Sequence, residues 1–159
     1  MSSQEMVSYL KSLETMLRES AIQRAGIDPA AIAPFCQKHG IILLAVFGSC
    51  VRGDLTAESD ADIAYLADSS GEIPWRELIP SLPVDAHDLD ATPINLGNEI
   101  AHTAVRLYEE KAGSFIDFAE AAKKKFDAEA PRREQARKER VGGIPIAEAL
   151  AEMRGQDRV

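Results

Sequence analysis

Two short motifs in the first half of the chain combine residue types that suit phosphate and metal binding. Gly48 and Ser49 directly follow the apolar run 41–47, and Asp60 and Asp62 follow after ten intervening residues. Where a strand turns into a helix, backbone N–H groups converge on an anion, and small side chains let a phosphate come close. Side chains two apart on a strand share a face, so both carboxylates point at one spot. Because like charges this close repel unless a cation lies between them, the spacing predicts a site for Mg²⁺ and a nucleotide triphosphate.

The elements that must position these motifs alternate between helix and strand. Apolar residues at helical spacing predict an amphipathic helix over 4–24 that ends near Gly26 and whose apolar face needs a partner. Asp28 and Pro29 open a second helix, which stops at Gly40. The run 41–47 is apolar on both faces, as in a central strand. The other predicted elements are a short helix after Ser49, a strand over 61–66, a short helix over 75–79, a strand over 83–89, and helices over 95–110 and 114–128.

Composition limits the classes of protein that this chain can belong to. With 159 residues and 45% hydrophobic content, the chain is long enough for one domain with a core and too short for two ordinary ones. A net charge of -8 argues against a protein that coats nucleic acid, so direct nucleic-acid binding is not expected. No apolar stretch approaches the roughly 18 residues of a membrane span, and Cys36 and Cys50 form neither a metal motif nor a disulfide framework. We therefore expect a cytoplasmic protein without a membrane segment.

The two motifs, followed by another carboxylate on a later strand, resemble the DNA polymerase beta-like nucleotidyltransferase superfamily. Within it, the chain is similar to the minimal nucleotidyltransferases (MNT), the antitoxins of two-gene HEPN/MNT toxin–antitoxin pairs. The resemblance covers roughly residues 30 to 140 and is carried by three stretches: Phe47-Gly48-Ser49-x-x-Arg52-Gly53-Asp54, Glu58-Ser59-Asp60-x-Asp62-Ile63 and Val84-Asp85. It implies an α/β fold of the polymerase beta-like type: a small mixed sheet with three carboxylates on one face and helices packed on the other, extended by helices at both termini.

The resemblance also implies a role for each matching residue. Gly48 and Ser49 correspond to the positions that bind the nucleotide triphosphate. Arg52 corresponds to the arginine that would neutralise the departing pyrophosphate. Three aspartates correspond to the metal ligands and catalytic carboxylates, and the third of them helps to deprotonate the attacking hydroxyl: Asp60, Asp62 and Asp85. Two metal ions about 3.5 to 4 Å apart would suit such an in-line transfer.

Neighbouring acidic and histidine residues leave alternatives at the third strand. Asp88 is a rival third carboxylate, but its odd offset from Asp85 places it on the opposite strand face. His87 shares the face of Asp85 and is within reach of the site, although a polar surface histidine is the plainer interpretation. Asp54 and Glu58 either solvate the loop or contact the outer shell of the metal.

The resemblance divides the chain into an N-terminal helical extension over 1–28, a nucleotidyltransferase domain over 29–130 and a charged helical tail over 131–159. The tail holds a run of mixed charges, the Gly142-Gly143 break and a weak amphipathic segment marked by Ile146, Leu150 and Met153. A solvated, ion-paired helix face is the plain interpretation of this tail, and docking onto an acidic partner is the alternative.

The leading functional hypothesis is an antitoxin enzyme that transfers AMP from ATP, with Mg²⁺, to a tyrosine of a cognate HEPN ribonuclease toxin and so silences it. Two alternatives stay open. One is a non-catalytic antitoxin that acts by binding and occlusion. The other is a nucleotidyltransferase that acts on an RNA end or a small molecule.

Overall fold

A four-stranded mixed sheet organises the part of the molecule that carries the candidate site. The computed structural model describes residues 1–141, 144–145, 148, 150–151 and 153–154. The chain divides into two compact units, Met1–Lys123 and Lys124–Val159, and the candidate site lies in the first. Among the described residues, no helix is both long enough and apolar enough to cross a membrane.

Helices and strands follow one another in the order expected, with three additional strands: one replaces the second half of a predicted helix, and two lie within the tail predicted as helical. The elements are α1 (Ser3–Ala25), α2 (Pro29–Lys38), β1 (Ile41–Phe47), α3 (Ser49–Arg52), β2 (Ala61–Ala67), α4 (Trp75–Leu78), β3 (Val84–Asp88), α5 (Ile94–Thr103), β4 (Val105–Glu109), α6 (Ser114–Ala128), α7 (Ala130–Lys138), β5 (Arg140–Val141) and β6 (Ile144–Pro145). In the sheet, the strand order is β3-β2-β1-β4. Strand β1 is antiparallel to β2 and β4, and β2 is parallel to β3.

The prediction of one long helix over 95–110 is wrong in its second half. Helix α5 ends at Thr103, Ala104 is extended, and residues 105–109 form strand β4. Strand β4 pairs with the edge of β1 that β2 leaves free, from Leu43 opposite Glu109 to Val46 opposite Val105. A run this short has no decisive periodicity, and the unpaired edge of β1 determines its conformation.

Residues of β1 alternate between two hydrophobic clusters, one on each face of the sheet. The first cluster joins Ile41, Leu44 and Val46 to the helices α1, α2, α3 and α4. The second joins Leu43, Ala45 and Phe47 to helices α5 and α6. The mixed α/β class is confirmed, and α1 to α4 lie on the face opposite the carboxylates, as expected. Helices α5 and α6 add a layer on the carboxylate face itself.

The second unit contains the end of α6, helix α7 and the antiparallel pair of β5 with β6. Within it, the Arg133 guanidinium lies 3.5 Å from the centre of the Phe126 ring and donates a hydrogen bond to the Phe126 carbonyl. Arg137 pairs with Glu134 on exposed helix surface. Two of the charged residues of α7 thus form an intrahelical ion pair. The predicted Gly142-Gly143 break and Ile146 lie outside the described residues.

Candidate active site

The turn between β1 and α3 depends on glycine at position 48. Gly48 has φ 70° and ψ -142°, a backbone conformation that side-chain-bearing residues rarely adopt. A Cβ at this position would overlap Oδ2 of Asp62, so the carboxylate lies directly against the glycine backbone. The backbone N–H groups of Val51 and Arg52 donate to the Gly48 carbonyl and start helix α3. Glycine therefore brings the start of α3 and the Asp62 carboxylate into contact.

Strand register brings two of the three predicted aspartates together. Asp62 lies opposite Phe47 on β1 and opposite Asp85 on β3. Since Ala61 and Ile63 belong to the cluster on the other face, Asp62 projects from the face of α5 and α6. Asp62 is half-buried and Asp85 is exposed. The two carboxylates therefore lie side by side at one end of the sheet.

His87 joins these aspartates in the structure, although it was not in the predicted ligand set. Its Nε2 is 3.2 Å from Oδ2 of Asp85, and its ring centre is 5.5 Å from that of Phe47. One ligand atom from each of Asp62, Asp85 and His87 lies within 4.8 Å of the others. The sequence signal for His87 is its even offset from Asp85, which places both on one strand face.

The pKa of the Asp62 carboxyl is raised above its ordinary value. Burial contributes most, the negative charge of Asp85 contributes next, and Asp60 adds to it, whereas His87 and Arg52 act in the opposite direction. Acidic oxygens crowded in this way, with an imidazole nitrogen beside them, fit a divalent cation. The donor set of this chain is thus suited to a metal ion.

The other predicted site residues, Asp60, Ser49 and Arg52, lie outside this group of three. Asp60 is exposed at the end of the loop before β2, and it is not among the three residues whose ligand atoms converge. Arg52 is 59% exposed, and its Nε lies 3.2 Å from Oδ2 of Asp54. Its Nη2 lies 3.5 Å from Oγ of Ser49. Arg52 thus lies beside the glycine turn with its side chain exposed to solvent.

Asp88, the rival carboxylate, lies away from the cluster. It lies opposite Tyr65 in the strand register. The pKa of Tyr65 is raised, mainly by burial and secondly by the negative charge of Asp88. Tyr65 packs on the cluster of the other face, so Asp88 belongs to that side of the sheet. Its Oδ1 accepts a hydrogen bond from the Asp90 backbone. Asp88 therefore closes the turn after β3.

Arg24, in the last turn of α1, holds helix α3 in place and was not expected from the sequence. Its Nη1 donates to the carbonyls of Cys50 and Val51 at 3.1 and 3.0 Å. Its guanidinium also lies over Gly53, where a Cβ would come within 3.1 Å of it. A basic residue at the end of a helix gives no indication of a target on another element. Its part in supporting the glycine turn was readable only from the fold.

The fold, the glycine turn and the convergent acidic residues define a nucleotidyltransferase type of domain. Residues 30–113, more than half of the chain, match the family profile described as "Polymerase beta, Nucleotidyltransferase". The chain belongs to this family. No curated protein sequence matches the chain.

Solved toxin–antitoxin structures share this fold at low sequence identity. One, a toxin–antitoxin with AMP-PNP, is 20% identical with a TM-score of 0.59, covering 70% of this chain and 98% of that chain. Another, the toxin–antitoxin MntA-HepT, is 18% identical with a TM-score of 0.51, covering 69% and 94%. A third, a tri-AMPylated Shewanella oneidensis HEPN toxin in complex with MNT antitoxin, is 19% identical with a TM-score of 0.52, covering 69% and 93%. About three tenths of this chain has no counterpart in these structures.

Proposed function

We propose that this protein is the antitoxin of a toxin–antitoxin pair and transfers AMP from ATP to a tyrosine hydroxyl of a HEPN ribonuclease toxin. The observation that carries the proposal is the contact of the Gly48 turn with Asp62, beside Asp85, in a chain of the polymerase beta nucleotidyltransferase family. That contact puts a phosphate-binding turn next to paired carboxylates, which is what nucleotidyl transfer requires.

The glycine turn and Arg52 are the residues that we assign to the triphosphate. The first N–H groups of a helix have no intrahelical acceptor, and the absence of a side chain at Gly48 lets an anion approach them. Arg52 is exposed and flanks the turn, so its guanidinium can bind phosphate oxygens by two parallel hydrogen bonds. We assign it to the departing pyrophosphate.

The acidic residues are those that we assign to Mg²⁺ and to proton transfer. We assign Asp60, Asp62 and Asp85 as the ligands that would hold two Mg²⁺ ions. Two of them, Asp62 and Asp85, have ligand atoms that converge with one of His87. Bound Mg²⁺ would stabilise negative charge on the phosphate oxygens. Asp85 is exposed, so an incoming hydroxyl can reach it, and we assign it to accept the proton of that hydroxyl. The acceptor oxygen then bonds to the α-phosphorus, and pyrophosphate leaves.

The choice of a protein acceptor rests on similarity to solved complexes. Structures that share the fold are toxin–antitoxin complexes, and one of them holds a tri-AMPylated HEPN toxin. Cys36 and Cys50 are free and buried, which fits a pair that works in the reducing cytoplasm.

Labelled ATP separates the catalytic proposal from its alternatives. The chain is incubated with Mg²⁺, α-labelled ATP and a candidate cognate ribonuclease of the HEPN type, and we expect label on a tyrosine of the ribonuclease together with loss of its RNase activity. The variant Asp60→Asn/Asp62→Asn should still bind the ribonuclease but neither label nor silence it. Asp117→Asn, an exposed aspartate on α6, is the matched control and should behave as the wild type.

Each other outcome points to a different function. If the Asp60→Asn/Asp62→Asn variant silences the ribonuclease as well as the wild type does, the protein acts by occlusion. If label appears on RNA and not on protein, the acceptor is an RNA end. If no nucleoside triphosphate labels any of these partners, the enzymatic proposal is wrong.

A further inference from the structure

The first helix carries an apolar stripe that its own domain does not cover. Residues 1–17 are all exposed, and burial in α1 begins only at its C-terminal end, with Ala21, Ile22 and Ala25. Seven large apolar side chains in this exposed part are 40% to 63% exposed: Met6, Val7, Tyr9, Leu10, Leu13, Met16 and Leu17. This much apolar surface on one helix face marks an interaction site.

Helix α1 is nonetheless a well-formed and anchored element. Ser2 and Glu5 form a capping box at its start. Further along, Glu14 accepts from both Arg18 and Arg106, and Arg18 also donates to the Arg106 carbonyl at 2.9 Å. These bonds fix α1 to strand β4. The stripe is therefore presented in a defined orientation.

The stripe borders a groove of about 320 Å³ on the domain. On one side of the groove are Leu10, Leu13 and Leu17 of α1, and on the other are residues 104–106 and Phe115 and Ile116. Ile116 is itself 57% exposed. The groove runs along α1 and has the apolar character that accepts a second helix. Helix α1 also lies outside the residues that match the family profile, 30–113.

The spacing within the stripe identifies the kind of partner. Met6, Leu10, Leu13 and Leu17 are separated by four, three and four residues, which is the a/d spacing of a coiled-coil seam. The pattern is also symmetric about a point between Lys11 and Ser12. An antiparallel copy of α1 centred there would place Met6 level with Leu17, Val7 with Met16 and Leu10 with Leu13, in both directions. A two-fold interface requires such self-complementarity.

The charges on α1 favour the same arrangement. In the antiparallel register, Glu5 is level with Arg18 of the second copy, and Lys11 is level with Ser12. Within residues 3–20, no charged residue is level with a residue of like charge on the second copy. A parallel pair would put every charged residue level with itself. It would also bring the two domains, each packed on the C-terminal end of its own α1, to the same end of the pair.

We propose that α1 is a homodimerisation helix, which pairs antiparallel with α1 of a second copy of this chain and fills the groove beside α6. The Met6 end of one helix then lies over the groove of the other protomer. The dimer does not depend on the transferase activity proposed above, so the two proposals can fail separately.

Mass measurement on the purified chain tests the dimer. We expect light scattering on a sizing column to give twice 17.3 kDa at micromolar concentration and above. The variant Leu10→Glu/Leu13→Glu should weaken dimerisation by about 100-fold or more, because each dimer loses four buried leucines. Ser8→Glu/Ser12→Glu adds the same charge to the same helix off the stripe and should leave the dimer intact. A wild-type chain that stays at 17.3 kDa up to millimolar concentration overturns the proposal, and so does a leucine variant that remains fully dimeric.

Cysteine pairing tests the register with smaller changes to the stripe. Cys36 and Cys50 are buried, so new thiols on α1 are the reactive ones. Met6→Cys and Leu17→Cys should each give little disulfide-linked dimer alone, and a mixture of the two should give the linked heterodimer on oxidation. Linkage of Met6→Cys with itself would instead show a parallel pair. If the wild type is monomeric and the leucine variant loses ribonuclease binding, the occupant of the groove is the toxin and the homodimer is wrong.

Discussion

Gly48→Ala is expected to damage the site much more than the fold. The glycine has φ 70° and ψ -142°, and a non-glycine residue in such a region costs about 1–3 kcal/mol. The new Cβ would also overlap Oδ2 of Asp62, whose side chain can rotate away and so adds little to that cost. A domain with an ordinary stability of about 5–15 kcal/mol remains folded after such a loss. Rotation, however, takes the Asp62 carboxylate from its place beside Asp85, and a displacement of about 1 Å at a reacting centre can cost 100-fold in rate.

Urea unfolding at neutral pH and the AMP-transfer rate measure the two effects separately. We expect the free energy of unfolding to fall by about 1–3 kcal/mol and the transfer rate to fall by about 100-fold. Gly71→Ala is the matched control, because a Cβ there meets no heavy atom within 4 Å. It should change neither quantity appreciably.

A double-mutant cycle divides the stability loss into its two parts. In an Asp62→Ala background the overlap is gone and only the backbone term remains, so Gly48→Ala should cost slightly less there than in the wild type. Unchanged stability together with an unchanged transfer rate in Gly48→Ala would contradict the role assigned to the glycine turn. Disappearance of the whole stability cost in the Asp62→Ala background would contradict it too, because the backbone conformation would then contribute nothing to that cost.

Two further predictions concern charge. Burial and the charge of Asp85 raise the pKa of Asp62, so the ionised carboxylate lowers the stability of the fold at neutral pH. In EDTA, Asp62→Asn should therefore melt at the same temperature as the wild type or higher. With Mg²⁺–ATP at 100 times its dissociation constant, the free energy of unfolding of the wild type should rise by about 2.7 kcal/mol, and that of the variant clearly less. Burial by itself would raise the pKa of Glu109. Hydrogen bonds from two backbone N–H groups and from Arg106 together outweigh burial, so the pKa lies below its ordinary value of 4.5. The ionised carboxylate therefore stabilises the fold above pH 4.5, and this contribution is lost as the pH falls through the lowered pKa. Glu109→Gln should lower the free energy of unfolding in urea by about 1.5–3 kcal/mol at pH 7 and by less at pH 3. The control Glu110→Gln, at an exposed position, should lower it little at either pH. Equal costs for Glu109→Gln at both pH values would contradict this assignment.

Local signals were sufficient for most elements and for the core of the site. The apolar run Ile41–Phe47, the caps at Asp28 and Gly26, and the even spacing of Asp60 and Asp62 act over a few residues, so they predicted β1, α1, α2 and the start of β2. By contrast, strand β4 was predicted as helix, because its conformation depends on the free edge of β1 some sixty residues earlier in the chain. A segment of five residues is too short for its apolar periodicity to show such a distant pairing.

The sequence by itself determined the family, the glycine turn and the placement of Asp60 and Asp62 two residues apart at the start of β2, because these depend on residue types at fixed local spacing. Only the tertiary structure decided that His87 approaches Asp85 while Asp60 stays outside the group of converging ligand atoms, and that Arg24 holds helix α3. It also decided that the apolar face of α1 is left uncovered. Strand register and helix packing bring together residues that are far apart in the chain, and the local pattern of apolar and polar residues does not show which of them will meet.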